Sequence, residues 1–116
     1  MPLIKMQTNV GCTPEKKQSI VRKLSAICSE CTGKPESYVA SIVEDDSVIS
    51  FAGEIKNSAF IEVRGIGGLN KTVNRKLSAA ICGYLEKELA IDGSCVYINF
   101  MDISGENWGW KGSTFG

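Results

Sequence analysis

Proton transfer near neutral pH is most often the work of histidine, and this sequence of 116 residues contains none. If the chain moves protons, the base must be an α-amine, a cysteine thiolate, or a carboxylate or lysine with a strongly shifted pKa. Thiols are available: Cys12, Cys28, Cys31, Cys82 and Cys95 make an odd set of five. A disulfide framework normally uses an even number, so reduced thiols in a reducing compartment are expected. Cys28 and Cys31 form a single C-x-x-C with no second pair, and without histidine a zinc site would need thiolates and carboxylates alone. No metal and no cofactor is expected.

These groups must be held by a small number of elements. Leu3–Thr8 reads as a strand. Thr13-Pro14-Glu15 then opens a helix, with Thr as N-cap, Pro in the first turn and an acid beside the helix dipole. Ile20, Leu24, Ile27, Cys28 and Cys31 recur at helical spacing, and Gly33 supplies a left-handed stop, with Pro35 beyond it. Residues 38–44 are rich in strand formers, and Val48–Phe51 reads as a further short strand after the Asp45-Asp46 turn. The second half repeats the plan. Ala59–Arg64 is a strand, Gly65-Ile66-Gly67-Gly68 a turn, and Asn70 a cap for a helix whose buried face carries Val73, Leu77, Ile81, Tyr84 and Leu85. Asp92-Gly93 leads into a strand over Cys95–Asp102, and a tail bearing Gly and Trp closes the chain.

The two helices share a word. Arg22-Lys23-Leu24-Ser25-Ala26 returns as Arg75-Lys76-Leu77-Ser78-Ala79, each followed shortly by Ile-Cys. Matching positions in two strand–helix–strand units indicate an internal β-α-β duplication. Parallel strands joined by crossover helices put both helices on one face of a single sheet. The last strand is partly apolar on both sides, so neighbouring subunits are expected to cover the other face.

Length allows one domain, residues 1–116. Thirteen basic residues balance thirteen acidic ones, so no net field draws the chain to nucleic acid or an anionic membrane. No apolar run approaches the roughly 20 residues of a membrane span, and the N-terminus has no signal-peptide core. The expected location is the cytosol, or outside the cell by a route that needs no signal.

Met1-Pro2, Thr8-Asn9-Val10, Thr32-Gly33-Lys34-Pro35, Phe51-Ala52-Gly53, Ile66-Gly67-Gly68, Val96-Tyr97-Ile98-Asn99, and Gly109-Trp110 through Ser113-Thr114-Phe115 stand in one order along nearly the whole chain. In that order and spacing the sequence resembles the macrophage migration inhibitory factor family of the tautomerase superfamily. The resemblance implies an α+β, two-layer subunit of the α/β type. Its four-stranded mixed sheet carries two antiparallel helices on one face, and subunits assemble as a homotrimer. It further implies that Met1 is removed and that the secondary amine of Pro2 is a general base. An apolar pocket, with the cation of Lys34 nearby, would lower that amine below the value of about 8 of an α-amine. Lys34 and the backbone N–H of Ile66 would grip a substrate carboxylate. Tyr97 and Asn99 would project into an adjacent subunit's pocket, while Tyr38, Trp108, Trp110 and Phe115 would wall in an aryl group. The implied reaction is keto–enol tautomerisation of a small aromatic α-keto acid, phenylpyruvate-like, or of an aminochrome of the dopachrome type.

Each of these residues also has a plainer role. Proline at position 2 permits removal of Met1 whatever follows, and Lys34 sits past a helix C-terminus, where a cation is favourable. The Ile66 turn is also a strand-to-helix connection, and its glycines lack phosphate-loop or dinucleotide spacing. Tyr97 and Asn99 fit an ordinary polar sheet face, and the two tryptophans an anchor for the tail. The chain also departs from the family in places. The family's redox C-x-x-C falls on Ser58 and Ile61, leaving Cys28 and Cys31 as core. Trp108 occupies a position that usually holds a smaller side chain, which narrows the pocket mouth. The Gly11–Pro14 loop lacks the Arg associated, with an acid near Asp46, with chemokine-receptor binding. The second class of function, a cytokine-like protein that binds a cell-surface receptor, is therefore weaker than the enzyme.

Overall fold

The computed structural model describes residues 2–116. β1 (Leu3–Thr8), α1 (Pro14–Thr32) and β2 (Ala40–Glu44) form the first unit, and β3 (Ala59–Gly65), α2 (Lys71–Leu89) and β4 (Val96–Asp102) the second. The helices begin where their caps dictate. Thr13 accepts a bond from the Lys16 N–H and Asn70 one from the Val73 N–H, each satisfying a donor the first turn cannot. α1 stops at Gly33, at φ 73°, whose N–H closes onto the Ser29 carbonyl at 2.9 Å. α2 ends on Ala90 in the same left-handed region, at φ 53°, where no glycine marks the stop.

The sheet runs β2-β1-β3-β4. β2 is parallel to β1 and β4 to β3, while the two halves meet antiparallel through β1 and β3, Leu3 opposite Arg64 and Thr8 opposite Ala59. Each helix returns against its own strand, so the antiparallel central pair makes the two helices antiparallel as well. The duplication is therefore a physical repeat, and both crossovers cover the same face.

Alternation along the strands assigns the faces. Ile4, Met6 and Thr8 of β1 and Ala59, Ile61 and Val63 of β3 are buried under the helices. They meet Ile20, Leu24, Ile27 and Cys28 of α1 and Leu77, Ile81, Leu85 and Leu89 of α2. Leu24 and Leu77, the shared leucines of the repeated word, are both fully buried. The opposite face keeps large side chains in solvent: Tyr97 is 67% exposed, with Ile42, Phe60 and Met101 also open.

Three sequence expectations are corrected. Val48–Phe51 is not a strand. β1 already lies between β2 and β3, and after Glu44 the chain leaves the sheet, with the Ser47 N–H on the Thr8 carbonyl tying it to the end of β1. Val48 is 94% exposed, and Phe51 pairs only with Glu54 across a turn in which Ala52 and Gly53 both take positive φ. The last strand begins at Val96 rather than Cys95, because Asp92 accepts from the Ser94 N–H and winds Gly93–Cys95 into a 3-10 turn. Tyr38 likewise ends a 3-10 turn, Glu36–Tyr38, and the strand starts at Ala40.

The tail, read from the sequence only as a closing segment, is a clasp. Gly109–Trp110 (β5) pairs antiparallel with Ser113–Thr114 (β6) around Lys111-Gly112, both at positive φ as a two-residue hairpin turn requires. The Phe115 N–H reaches the carbonyls of Gly105 and Trp108, and a Cβ on Gly116 would lie 2.5 Å from the Glu106 nitrogen. Only glycine fits that crossing.

Candidate active site

Pro2 is buried at the start of β1, and its carbonyl accepts the Ala40 N–H at 3.1 Å, tying the N-terminal segment to the first residue of β2. A cavity of about 260 Å³ opens beside it, lined by Pro2, Ser37, Tyr38, Val39, Ala40, Trp108, Trp110 and Phe115. Trp110 is the centre of its aromatic wall. It stacks on Phe115 at 5.5 Å and 11°, and meets Tyr38 edge-on at 6.0 Å. The clasp carries Trp108, Trp110 and Phe115 here from the far end of the sequence. The lining holds no carboxylate, thiol or lysine. Met1, whose removal the sequence reading requires, lies outside the described residues.

Lys34 and Ile66 meet at the same end of the sheet. Lys34 follows the α1 stop and its ammonium donates to the Ile66 carbonyl at 3.1 Å. Leu3 faces Arg64 in the β1–β3 register, so Pro2 and the Ile66 turn flank one strand end. The turn is fixed from both sides: the Ile103 N–H donates to the Gly65 carbonyl and the Gly67 N–H to the Asp102 carboxylate, each at 2.8 Å. The start of Lys34 is fixed too. Its carbonyl accepts from the Ser29 hydroxyl at 2.6 Å, and its N–H donates to Thr32 Oγ1 at 3.2 Å.

Tyr97 and Asn99 lie elsewhere. Tyr97 pairs with Phe60, and Phe60 with Gln7, five residues along β1 from Pro2. That separation is about 16 Å along the strands and about 10 Å across them, beyond any side chain's reach. Tyr97 instead packs against Phe51 at 4.7 Å and helps line a second, apolar cavity of about 310 Å³ with Ile49, Ala52 and Phe60. Within one chain the cavity therefore gathers Pro2, Tyr38, Trp108, Trp110 and Phe115; Lys34 and Ile66 meet each other at the same sheet end without lining it, and Tyr97 lines the other cavity.

Four of the five thiols left open by the sequence are held in the protonated form, which cannot act as a base. Burial pushes the Cys28 thiol up to about 11, with Cys31 adding to the shift. Burial is also the leading cause raising Cys12, Cys31 and Cys82, reinforced by the nearby acids Asp45, Glu30 and Glu86 respectively. These thiols stay protonated near neutral pH. Cys28 is fully buried on the helix stripe, whereas Cys31 is half-buried at its edge. Among the described residues no group of three or more acidic, cysteine or histidine side chains could hold a metal, and no helix is long and apolar enough to cross a membrane.

Residues 1–116 match the macrophage migration inhibitory factor family. A macrophage migration inhibitory factor homolog of Trichinella spiralis is 35% identical over 115 residues, covering 99% of this chain and 100% of the relative. The macrophage migration inhibitory factor of Rattus norvegicus is 35% identical over 117 residues, covering 99% of each. Among solved structures, the macrophage migration inhibitory factor-like protein of Entamoeba histolytica superposes with a TM-score of 0.93 at 39% identity, covering 98% of both chains. The homologue from Prochlorococcus marinus gives 0.92 at 34%, covering 98% of this chain and 99% of that one. Sequence match and backbone agreement run end to end, and the chain belongs to the macrophage migration inhibitory factor family.

Proposed function

We propose that this protein is a keto–enol tautomerase for small aromatic α-keto acids, with the amine of Pro2 as its general base once Met1 is removed. The observation that carries this reading is the placement of a buried Pro2 in the wall of an aromatic cavity free of any other strong base, beside the Lys34–Ile66 turn. Burial disfavours the charged amine, so the free nitrogen is neutral at lower pH than an ordinary α-amine. Its lone pair takes a proton from the carbon next to the keto group. The C–H electrons form the enol double bond, the keto oxygen gains the charge, and the protonated Pro2 amine returns its proton to that oxygen, which restores the neutral base. Lys34 and the Ile66 N–H hold the carboxylate meanwhile, and Tyr38, Trp108, Trp110 and Phe115 hold the ring.

The same reading includes a homotrimer. Neither Tyr97 nor Asn99 lines the Pro2 cavity of its own chain, and the face they stand on exposes Ile42, Phe60 and Met101. A neighbouring copy that covers this face brings Tyr97 and Asn99 to a pocket belonging to another subunit. A receptor-binding role, which the relatives' name suggests through its reference to macrophage migration, is the second reading.

The test is a phenylpyruvate tautomerase assay on protein whose N-terminus has been sequenced. A peptide-bonded proline nitrogen has no basic lone pair, so Met-retained protein should fold normally and be inactive, and clean Met removal should restore turnover. Equal rates for the two forms would take Pro2 out of the mechanism.

A further inference from the structure

Two adjacent glycines in the Ile66 turn differ in what surrounds them. Gly67 and Gly68 both hold positive φ, 67° and 79°, so each occupies backbone space that L side chains rarely adopt. A Cβ on Gly67 would meet nothing within 4 Å. A Cβ on Gly68 would lie 2.9 Å from Lys34 Cε and 3.7 Å from Lys34 Nζ. Turn geometry explains both glycines, but it does not explain why the second has the lysine stem lying across it.

We propose that Gly68 is a positioning residue for Lys34: its missing side chain leaves the path by which the ammonium reaches the Ile66 turn. The inference rests on the reading of Lys34 as the carboxylate grip. The lysine cannot retreat at its root, because Ser29 and Thr32 hold its carbonyl and N–H. Its far end is tethered through the ammonium to the Ile66 carbonyl on a half-open turn, and it is the part that can give. A methyl group at position 68 therefore displaces Cε and Nζ rather than the backbone, and misplaces the charge that should meet the substrate.

The matched pair Gly67→Ala and Gly68→Ala separates this from backbone strain, since both carry the left-handed cost and only one touches Lys34. With correct folding confirmed by circular dichroism, Gly68→Ala should raise KM for phenylpyruvate roughly fivefold to tenfold, about the size of a weakened charge-assisted bond. kcat should change little, and the methyl ester should be unaffected. Gly67→Ala should leave the acid-to-ester ratio at the wild-type value. Independently of activity, the Lys34 Cε resonance, assigned by its loss in Lys34→Met, should move in Gly68→Ala and stay in place in Gly67→Ala. Equal changes in the ratio for the two alanine variants, or a Lys34 resonance that ignores Gly68→Ala, would overturn the proposal. A resonance that moves in Gly68→Ala alone, with an acid preference untouched by Lys34→Met, would uphold the positioning and sink the carboxylate grip instead.

Discussion

Removing the Lys34 ammonium is the most direct test of how the site recognises a carboxylate. The ammonium has three N–H donors, and one is engaged by the Ile66 carbonyl at 3.1 Å. Two remain for a carboxylate in the proposed grip. A hydrogen bond between charged partners contributes about 1.5–3 kcal/mol, which corresponds to roughly 10- to 150-fold in binding. The Ile66 carbonyl adds little to the loss, because it stands on a half-open turn where water can replace the lysine. Lys34→Ala is therefore expected to raise KM for phenylpyruvate within that range. kcat should fall less, since Pro2 and the aromatic wall are untouched. The methyl ester has no charge to lose and should respond by less than about threefold, a lost-packing effect. Lys34→Met is the sharper variant, because it keeps the stem that lies across Gly68 and removes only the charge. The assay follows enol–keto conversion by ultraviolet absorbance for acid and ester over a range of concentrations. Equal losses on acid and ester in Lys34→Met would reduce Lys34 to a cation at a helix end.

Other consequences can be checked with ordinary measurements. The kcat/KM profile of Met-processed protein should fall as pH drops and the Pro2 amine protonates, with its midpoint below that of an exposed α-amine; a midpoint at or above that value would argue against a buried base. Leu24→Ala and Leu77→Ala each empty a fully buried site and should each lower stability by about 2–5 kcal/mol in urea denaturation; losses below about 1 kcal/mol would show that the repeated leucines are not core equivalents. The Cys12 N–H bond, then Lys17, hold the Asp45 carboxyl below its ordinary value, so its contribution to stability is present above the unfolded-state pKa and is lost as pH falls through the lower folded-state value. Asp45→Asn should flatten that acid limb, and an unchanged limb would show that the carboxylate does not stabilise the loop. Equilibrium sedimentation should give three times the chain mass, and a stable monomer at micromolar concentration would remove Tyr97 and Asn99 from the site.

Much of this protein is decided locally, and those parts could be read from the sequence. Thr13, Asn70 and Gly33 act on neighbours within a turn, so helix starts and one helix end follow from residue type. Periodicity placed β1 and β3 and the buried stripes of both helices, and the repeated word announced the duplication. Absence of histidine narrowed the chemistry before any coordinate was considered. Other features depend on what lies across space. Val48–Phe51 has the composition of a strand, but sheet pairing needs an edge, and the chain has left the sheet by then. Ala90 ends α2 without glycine, because Ile91 is drawn fully into the core beyond it. The approach of Lys34 to Ile66, 32 positions later, the delivery of Trp110 and Phe115 to Pro2 by the tail clasp, and the distance of Tyr97 from that cavity are long-range placements. No local propensity encodes them. They follow from the β2-β1-β3-β4 order, which sets which strand ends lie side by side and which stay apart.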